Sequence, residues 1–359
     1  MTSIDLEAHF YTKAALEYLA KRKQCPQLVK EKEAGTFNLR FTDEISLFQT
    51  QGFLDTLCEL GSARVDLMDK AGLDIQVLSF STPGVDGFYP DHHAAGAMAI
   101  EINDVIYETM QRYPSRFMGF ASLSPYDVPK SVNELERAIQ KLGFVGWLAH
   151  SNFGDNKYLD DKIYWPLLEA AEALHIPIYL HPTAPLMKEF GKYGFALAGP
   201  PLGFQFDASL CLLRMIYAGV FDRFPNLTII LGHLGETIPF LVPDRIDWAY
   251  SNPHISKLPG FIKERPFIKK TPSEVILNNV YVTTSGRFSK ETLEFTLKIM
   301  GEDHVLLATD YPYEDLEQSM NFIRECQFSN ELMEKICCGN AERLGIKNRA
   351  TADAVLLNN

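Results

Sequence analysis

The sequence predicts a (β/α)8 TIM barrel, and three observations lead there. Short apolar, β-branched runs alternate with longer helical patterns along the 359 residues, the order expected of strand–helix units around a parallel sheet. The runs lack clean in–out alternation, as strands buried on both faces do. Several of them end in an imidazole or a carboxylate, and barrels build their sites at the carboxyl ends of their strands.

Taken in order, strands are predicted over residues 4–9, 75–80, 117–123, 143–149, 177–181, 228–233, 280–284 and 304–309. Helical patterns at 94–112, 128–142, 165–174, 208–221, 290–300 and 315–326 fall between or after them. An open doubly wound sheet would require a glycine-rich phosphate turn after the first strand. None follows His9. The stretch from Phe10 to about Met68 far exceeds the roughly 30 residues of one strand–helix–strand unit. This insertion contains helical pieces and the aromatics Tyr11, Phe37, Phe41, Phe48 and Phe53. It is either a supporting subdomain or a cap over the barrel mouth that takes part in a subunit contact. The polar tail after Leu344 is expected to fray in part.

Bulk composition narrows the function. With 46% hydrophobic and 22% charged residues, the chain can bury a large core. A barrel with insertions reaches this length as one domain, expected here over 1–359. The formal charge of −12 argues against a nucleic-acid partner, which needs clustered Lys and Arg. It leaves a small anionic substrate open, because local charge can oppose the net sign. No apolar run reaches the roughly 18–20 residues of a membrane span, and no basic segment leads an apolar stretch at the start, so no secretory signal is expected. The six cysteines show no CxxC spacing. A cytoplasmic protein with reduced thiols is the expectation.

Four strings carry the chemistry: Glu7-Ala-His9, Tyr179-Leu-His181-Pro182, Leu231-Gly-His233-Leu-Gly-Glu236 and Ala308-Thr-Asp310. Residues i and i+2 of a strand share a face, so Glu7 and His9 can aim together into a barrel. His181, His233 and Asp310 each lie at a predicted strand end. Imidazole and carboxylate ligands in this arrangement suit one divalent ion, Zn²⁺ or Mn²⁺, with coordination left open for substrate. Glu236 lies one short turn beyond His233. It is either the hydrogen-bond partner that fixes the imidazole tautomer or a first-turn glutamate that complements a helix dipole.

These strings, with "GFVG" (143–146), "FPNLTIILGHLGE", "TTSG" (283–286), "ATDYPYE" and "GNAERL", resemble the amidohydrolase-2 family of the amidohydrolase superfamily. The chain looks most like its ortho-hydroxybenzoate decarboxylases, of the γ-resorcylate and 2,3-dihydroxybenzoate decarboxylase type. Many amidohydrolases open with His-x-His, and Glu-x-His here points to the phenolic-acid branch. The resemblance implies Glu7, His9, His181 and Asp310 as ligands of one divalent metal ion. It implies His233 as the acid–base or substrate-orienting histidine, Glu236 as its partner, and Arg245 near the substrate. It also implies a homodimer or homotetramer.

The departures fall on loops that should face the barrel mouth. Arg287 stands where such decarboxylases usually carry Asn after "TTSG", and His150 follows the fourth strand where an asparagine-like residue is expected. Both are candidate substrate contacts. The implied reaction is reversible, non-oxidative decarboxylation of a small ortho-hydroxylated aromatic acid, with Asp310 delivering the proton. The same constellation would serve a metal-dependent hydrolase or hydratase acting on a lactone or ring-cleavage acid. A non-catalytic scaffold is the third class, and it would be expected to have lost ligands.

Overall fold

The computed structural model describes residues 2–348; Met1 and residues 349–359, which include most of the tail expected to fray, lie outside the described residues. Strand β1 (Ile4–Phe10) leads into the insertion. There a helix (Lys13–Lys21) precedes an antiparallel meander of β2 (Gln27–Lys30), β3 (Thr36–Arg40) and β4 (Ser46–Thr50), and two helices (Gln51–Leu57, Ser62–Ala71) follow. The chain returns to the barrel with β5 (Ile75–Phe80), β6 (Phe117–Ala121), β7 (Gly146–His150), β8 (Pro177–His181), β9 (Thr228–Leu231), β10 (Val280–Thr283) and β11 (Val305–Leu306).

Eight strands pair in the order β1-β5-β6-β7-β8-β9-β10-β11. Closure comes from the segment after β11. Leu6 N–H donates to Leu307 O at 3.1 Å, Asp310 N–H to Glu7 O at 3.0 Å and His9 N–H to Tyr311 O at 2.7 Å. Inside the ring, Leu6, Val77, Met118, Phe120, Tyr179, Ile230 and Leu306 form one buried cluster, so the barrel is a filled core rather than a pore. A larger apolar layer lies between strands and helices.

Helix Val128–Gln140 shows why the outer elements form where they do. The Asp127 side chain caps the Lys130 N–H, a proline occupies the first turn, and Val128, Leu135, Ala138 and Ile139 fall on the buried face. The capping carboxylate satisfies an orphan N–H and complements the dipole. Among the described residues, no helix is long and apolar enough to cross a membrane, and all six cysteines are free.

Several strand bounds differ from the expectation, and three of them have a clear local reason. The last strand was expected over 304–309, yet only Val305–Leu306 is regular strand. Leu307 N–H bonds Ile336 O at 2.9 Å, and the Thr309 N–H and hydroxyl turn to the Asp5 carboxylate at 2.9 and 2.7 Å. Strand β9 stops at Leu231 because the chain turns through His233, whose φ is +53°. Strand β7 starts at Gly146 rather than 143, since Gly143 has φ +77° and Phe144 N–H bonds the preceding helix at Ala138 O. The meander in the insertion was not foreseen, because strands of four or five residues are too short to display a period.

Candidate active site

The first ligand string is aimed by a bulge. Pairing of β1 with β5 moves from Asp5↔Gln76 to Ala8↔Leu78, so Leu6 and Glu7 together stand opposite Val77. A bulge bends its strand and re-aims side chains. The Glu7 N–H donates instead to Asp5 Oδ1 at 3.1 Å. Asp5 also accepts from Gln76 Nε2 at 3.0 Å. Gln76 in turn accepts from Arg64 Nε at 2.8 Å, and Arg64 Nη1 donates to His9 O at 3.0 Å. Arg64 is fully buried; it ties an insertion helix to the backbone that carries Glu7 and His9.

Glu7, His9, His181 and Asp310 converge, each offering one ligand atom within 4.8 Å of the others. His9 Nε2 lies 3.2 Å from Asp310 Oδ1 and 3.6 Å from Glu7 Oε1, and His181 Nε2 lies 3.2 Å from Glu7 Oε1. The buried Glu7 Oε1 and His9 Nε2 make no hydrogen bond. Their outer partners are in place: the Tyr179 hydroxyl donates to Glu7 Oε2, and Ser79 Oγ lies 3.3 Å from His9 Nδ1.

His181 is oriented as a cation ligand would be. Its Nδ1 lies 2.7 Å from the Pro182 carbonyl oxygen, which can only accept, so Nδ1 carries a proton. Burial holds this imidazole down at about 4, so at neutral pH Nε2 is a bare lone pair. That lone pair faces a carboxylate oxygen, and two acceptors at this distance need a positive charge between them. A mixed nitrogen and oxygen set suits Zn²⁺ or Mn²⁺, and a backbone-bonded imidazole is the usual second-sphere arrangement of a metal histidine. The residues fit one divalent ion.

Without the ion, the site holds its charge as protons. Burial alone would push the His9 imidazole down, but the Asp310 and Glu7 carboxylates hold it up at about 9. Burial would raise the Glu7 carboxyl, yet the charge on His233 and the polar contacts of the His181 and His9 imidazoles keep it well below its usual range. A metal ligand must be a neutral imidazole, so metal binding through His9 would expel its proton. Metal affinity should therefore rise with pH by up to tenfold per unit until about pH 9, where His9 titrates, and flatten above it. Calorimetric Mn²⁺ titrations at several pH values check this; an affinity unchanged between pH 6 and 8 would contradict it.

His233 stands beside the cluster. Its Nδ1 lies 2.8 Å from Glu236 Oε1, and its Nε2 lies 3.6 Å from Asp310 Oδ2. Burial depresses this imidazole, but Glu236, Glu7 and Asp310 outweigh that and hold it well above its usual value. For Asp310, burial raises the carboxyl while His233 and His9 bring it below its usual value. The backbone here is unusual, with φ of +53° at His233, +59° at Leu234, +58° at Glu236 and +64° at Asp310. Non-glycine residues pay about 1–3 kcal/mol each for such conformations.

A cavity of about 510 Å³ opens over the cluster, and His181, His233, Glu236, Arg287 and Asp310 all line it. Arg287 makes no hydrogen bond or ion pair with the described residues. Two expected substrate contacts are not placed there. His150 is buried against His181, ring centroids 5.4 Å apart, and does not line the cavity. Asp86 fixes it through the His150 N–H at 3.1 Å and Nδ1 at 3.0 Å. Arg245 is exposed and outside the cavity, because Ile246 takes the buried position of that turn and Asp247 bonds Ser273. Sequence reasoning missed Tyr313, Glu314 and Thr82, which line the cavity. Tyr313, three residues after Asp310 in "ATDYPYE", was the available signal.

The Amidohydrolase family matches residues 4–344. A γ-resorcylate decarboxylase from Polaromonas sp. is 34% identical over 325 residues, spanning 86% of this chain and 97% of that protein. A solved 2,6-dihydroxybenzoate decarboxylase with 2,6-dihydroxybenzoate bound superposes with TM-score 0.80 at 30% identity, covering 96% of this chain and 99% of the other. A dihydroxybenzoic acid decarboxylase from Polaromonas sp., with manganese and the inhibitor 2-nitroresorcinol bound, reaches TM-score 0.81 at 32% identity, covering 97% and 98%. A barrel whose strand ends gather two histidines and two carboxylates around a cation site, matched over nearly its whole length, belongs to the amidohydrolase family.

Proposed function

We propose that this chain is a metal-dependent, non-oxidative decarboxylase of an ortho-hydroxylated aromatic carboxylic acid. The observation that carries the reading is the Glu7, His9, His181 and Asp310 cluster on the floor of an aromatic-walled cavity, in a chain similar to dihydroxybenzoate decarboxylases. Glu7, His9, His181 and Asp310 would hold a divalent ion, which would supply Lewis-acid chemistry to the substrate's oxygens.

Asp310, a carboxylate before substrate enters, takes the phenolic proton and passes it to the ring carbon that bears the carboxylate. Protonation there gives a cyclohexadienone. The bond to the carboxylate then breaks, its electron pair restores the aromatic phenolate, and CO₂ leaves. The phenolate takes a proton from water and dissociates. Each step reverses at high bicarbonate. His233, charged and held by Glu236, offers Nε2–H to the anionic oxygens beside Asp310. Glu236→Gln should lower kcat about 10- to 100-fold and leave bound metal unchanged; equal losses of both would make Glu236 a metal-site support instead. Arg287 meets an anionic substituent from the cavity wall. Arg287→Ala should raise KM at least tenfold, the worth of about one charge-assisted hydrogen bond, with kcat altered much less.

The deciding experiment loads the protein with Mn²⁺ or Zn²⁺ and follows CO₂ from a panel of hydroxybenzoates. CO₂ is expected from ortho-hydroxy acids and not from their meta or para isomers. Water uptake by lactones, with no CO₂ from any acid, would replace the reading by a hydrolase. The reading extends to a cytoplasmic homodimer or homotetramer with the insertion as cap and part of the contact. Phe41 and Leu47 in the cavity wall support the cap, and Phe48, 64% exposed on β4, supports the contact. Sedimentation of a monomer would remove the oligomer.

A further inference from the structure

The cavity, open to solvent at its mouth, has room for more than a single-ring acid, and much of its wall is carbon. Its volume is about 510 Å³, whereas an apolar cavity of about 150 Å³ holds benzene. A hydroxyl, a carboxylate and one ion do not account for the difference. The charged lining residues gather at the strand ends. Even Gly286 lies there, since a Cβ on it would meet His233 Cδ2 at 3.1 Å and Asp310 Oδ2 at 3.7 Å.

Beyond Thr82, Tyr313 and Glu314, an apolar stretch of the wall is built by Phe41 and Leu47 from the insertion with Phe195, Pro200, Pro201 and Phe204 from the segment after β8. These side chains are contiguous: Phe41 stacks on Phe195 at 5.9 Å and 17°, and Phe195 meets Phe204 edge-on at 5.4 Å. The amide nitrogen within this wall is already engaged, as Gln205 Nε2 donates to Pro200 O at 2.6 Å and Pro201 O at 3.3 Å. Water against such a surface is poorly bonded, and an apolar group that displaces it gains affinity.

Resting on the decarboxylase reading, we infer that the substrate ring carries an apolar substituent of at least three carbons, which lies against the Phe41, Leu47, Phe195 and Phe204 wall. The structural division is plain: one end of the cavity handles charge and protons, and the other selects for carbon.

The test uses Mn²⁺-loaded enzyme and 2-hydroxybenzoates that carry methyl, propyl or pentyl at each free ring position. It reads kcat/KM from CO₂ release and Kd from calorimetry. For at least one ring position, both should improve about two- to fourfold per methylene as far as propyl. The ratio of pentyl to unsubstituted acid should fall in Leu47→Gln. Turnover of the unsubstituted acids with no gain at any position overturns the inference alone, as does a Leu47→Gln variant that keeps the full gain. A Kd that tightens along the series with no CO₂ from any member supports the apolar subsite and overturns the reaction assigned to it.

Discussion

Replacing Asp310 by Asn should lower CO₂ release by about 10²- to 10⁴-fold, the range for loss of a positioned proton-transfer group. An amide cannot take the phenolic proton or return it to the ring. The substitution isolates that role because it spares the backbone: Asp310 sits at φ +64°, a conformation that Asn tolerates better than most residues. The amide oxygen can still face the ion, so some metal should remain bound. CO₂ release expressed per bound metal ion, with a melting curve to show the fold intact, is the measurement. Activity within fivefold of the parent would take Asp310 out of the proton path.

Glu7→Gln should have the second largest effect, by emptying the site. Glu7 is the one member of the four-residue cluster with no exposed surface at all, and its Oε1 faces both His9 and His181. Metal affinity should fall at least 100-fold, the upper range for losing even an outer partner of a metal site. The metal-free protein gives a second readout. His9 is held at about 9 against an ordinary 6.5, which corresponds to about 3 kcal/mol. The folded value is raised, so this stability is complete below about pH 6.5 and is lost as pH rises through about 9. With one of its two carboxylates gone, the metal-free variant should show a melting temperature less dependent on pH across that window. A pH dependence equal to the parent's would mean that Asp310 alone holds the His9 proton.

What was legible in the sequence follows from the range of the interactions involved. The barrel strands are apolar on both faces and the helices amphipathic, so period and composition reveal them within windows of a few residues. Glu7, His9, His181 and Asp310 stood out because each interrupts or ends an apolar run. The bulge that aims Glu7 depends on register against β5, about which β1 itself says nothing. Arg64 reads as a surface residue of a helix, and only its bonds to Gln76 and to the His9 carbonyl explain its burial. His150 and Arg245 lie off the cavity for the same reason. Proximity to a strand end or a motif does not say which way a side chain leaves the turn, and Asp86 and Ile246 settled those two.

The positive φ values at His233, Leu234, Glu236 and Asp310 bear on how this protein can evolve. A substitution there is judged twice, once by chemistry and once by the backbone. Most side chains fail both, whereas glycine relieves the conformation at the cost of the function. Glycine at position 310 would relieve the conformation and remove the carboxylate, so stability and the proposed proton chemistry make opposed demands on this position.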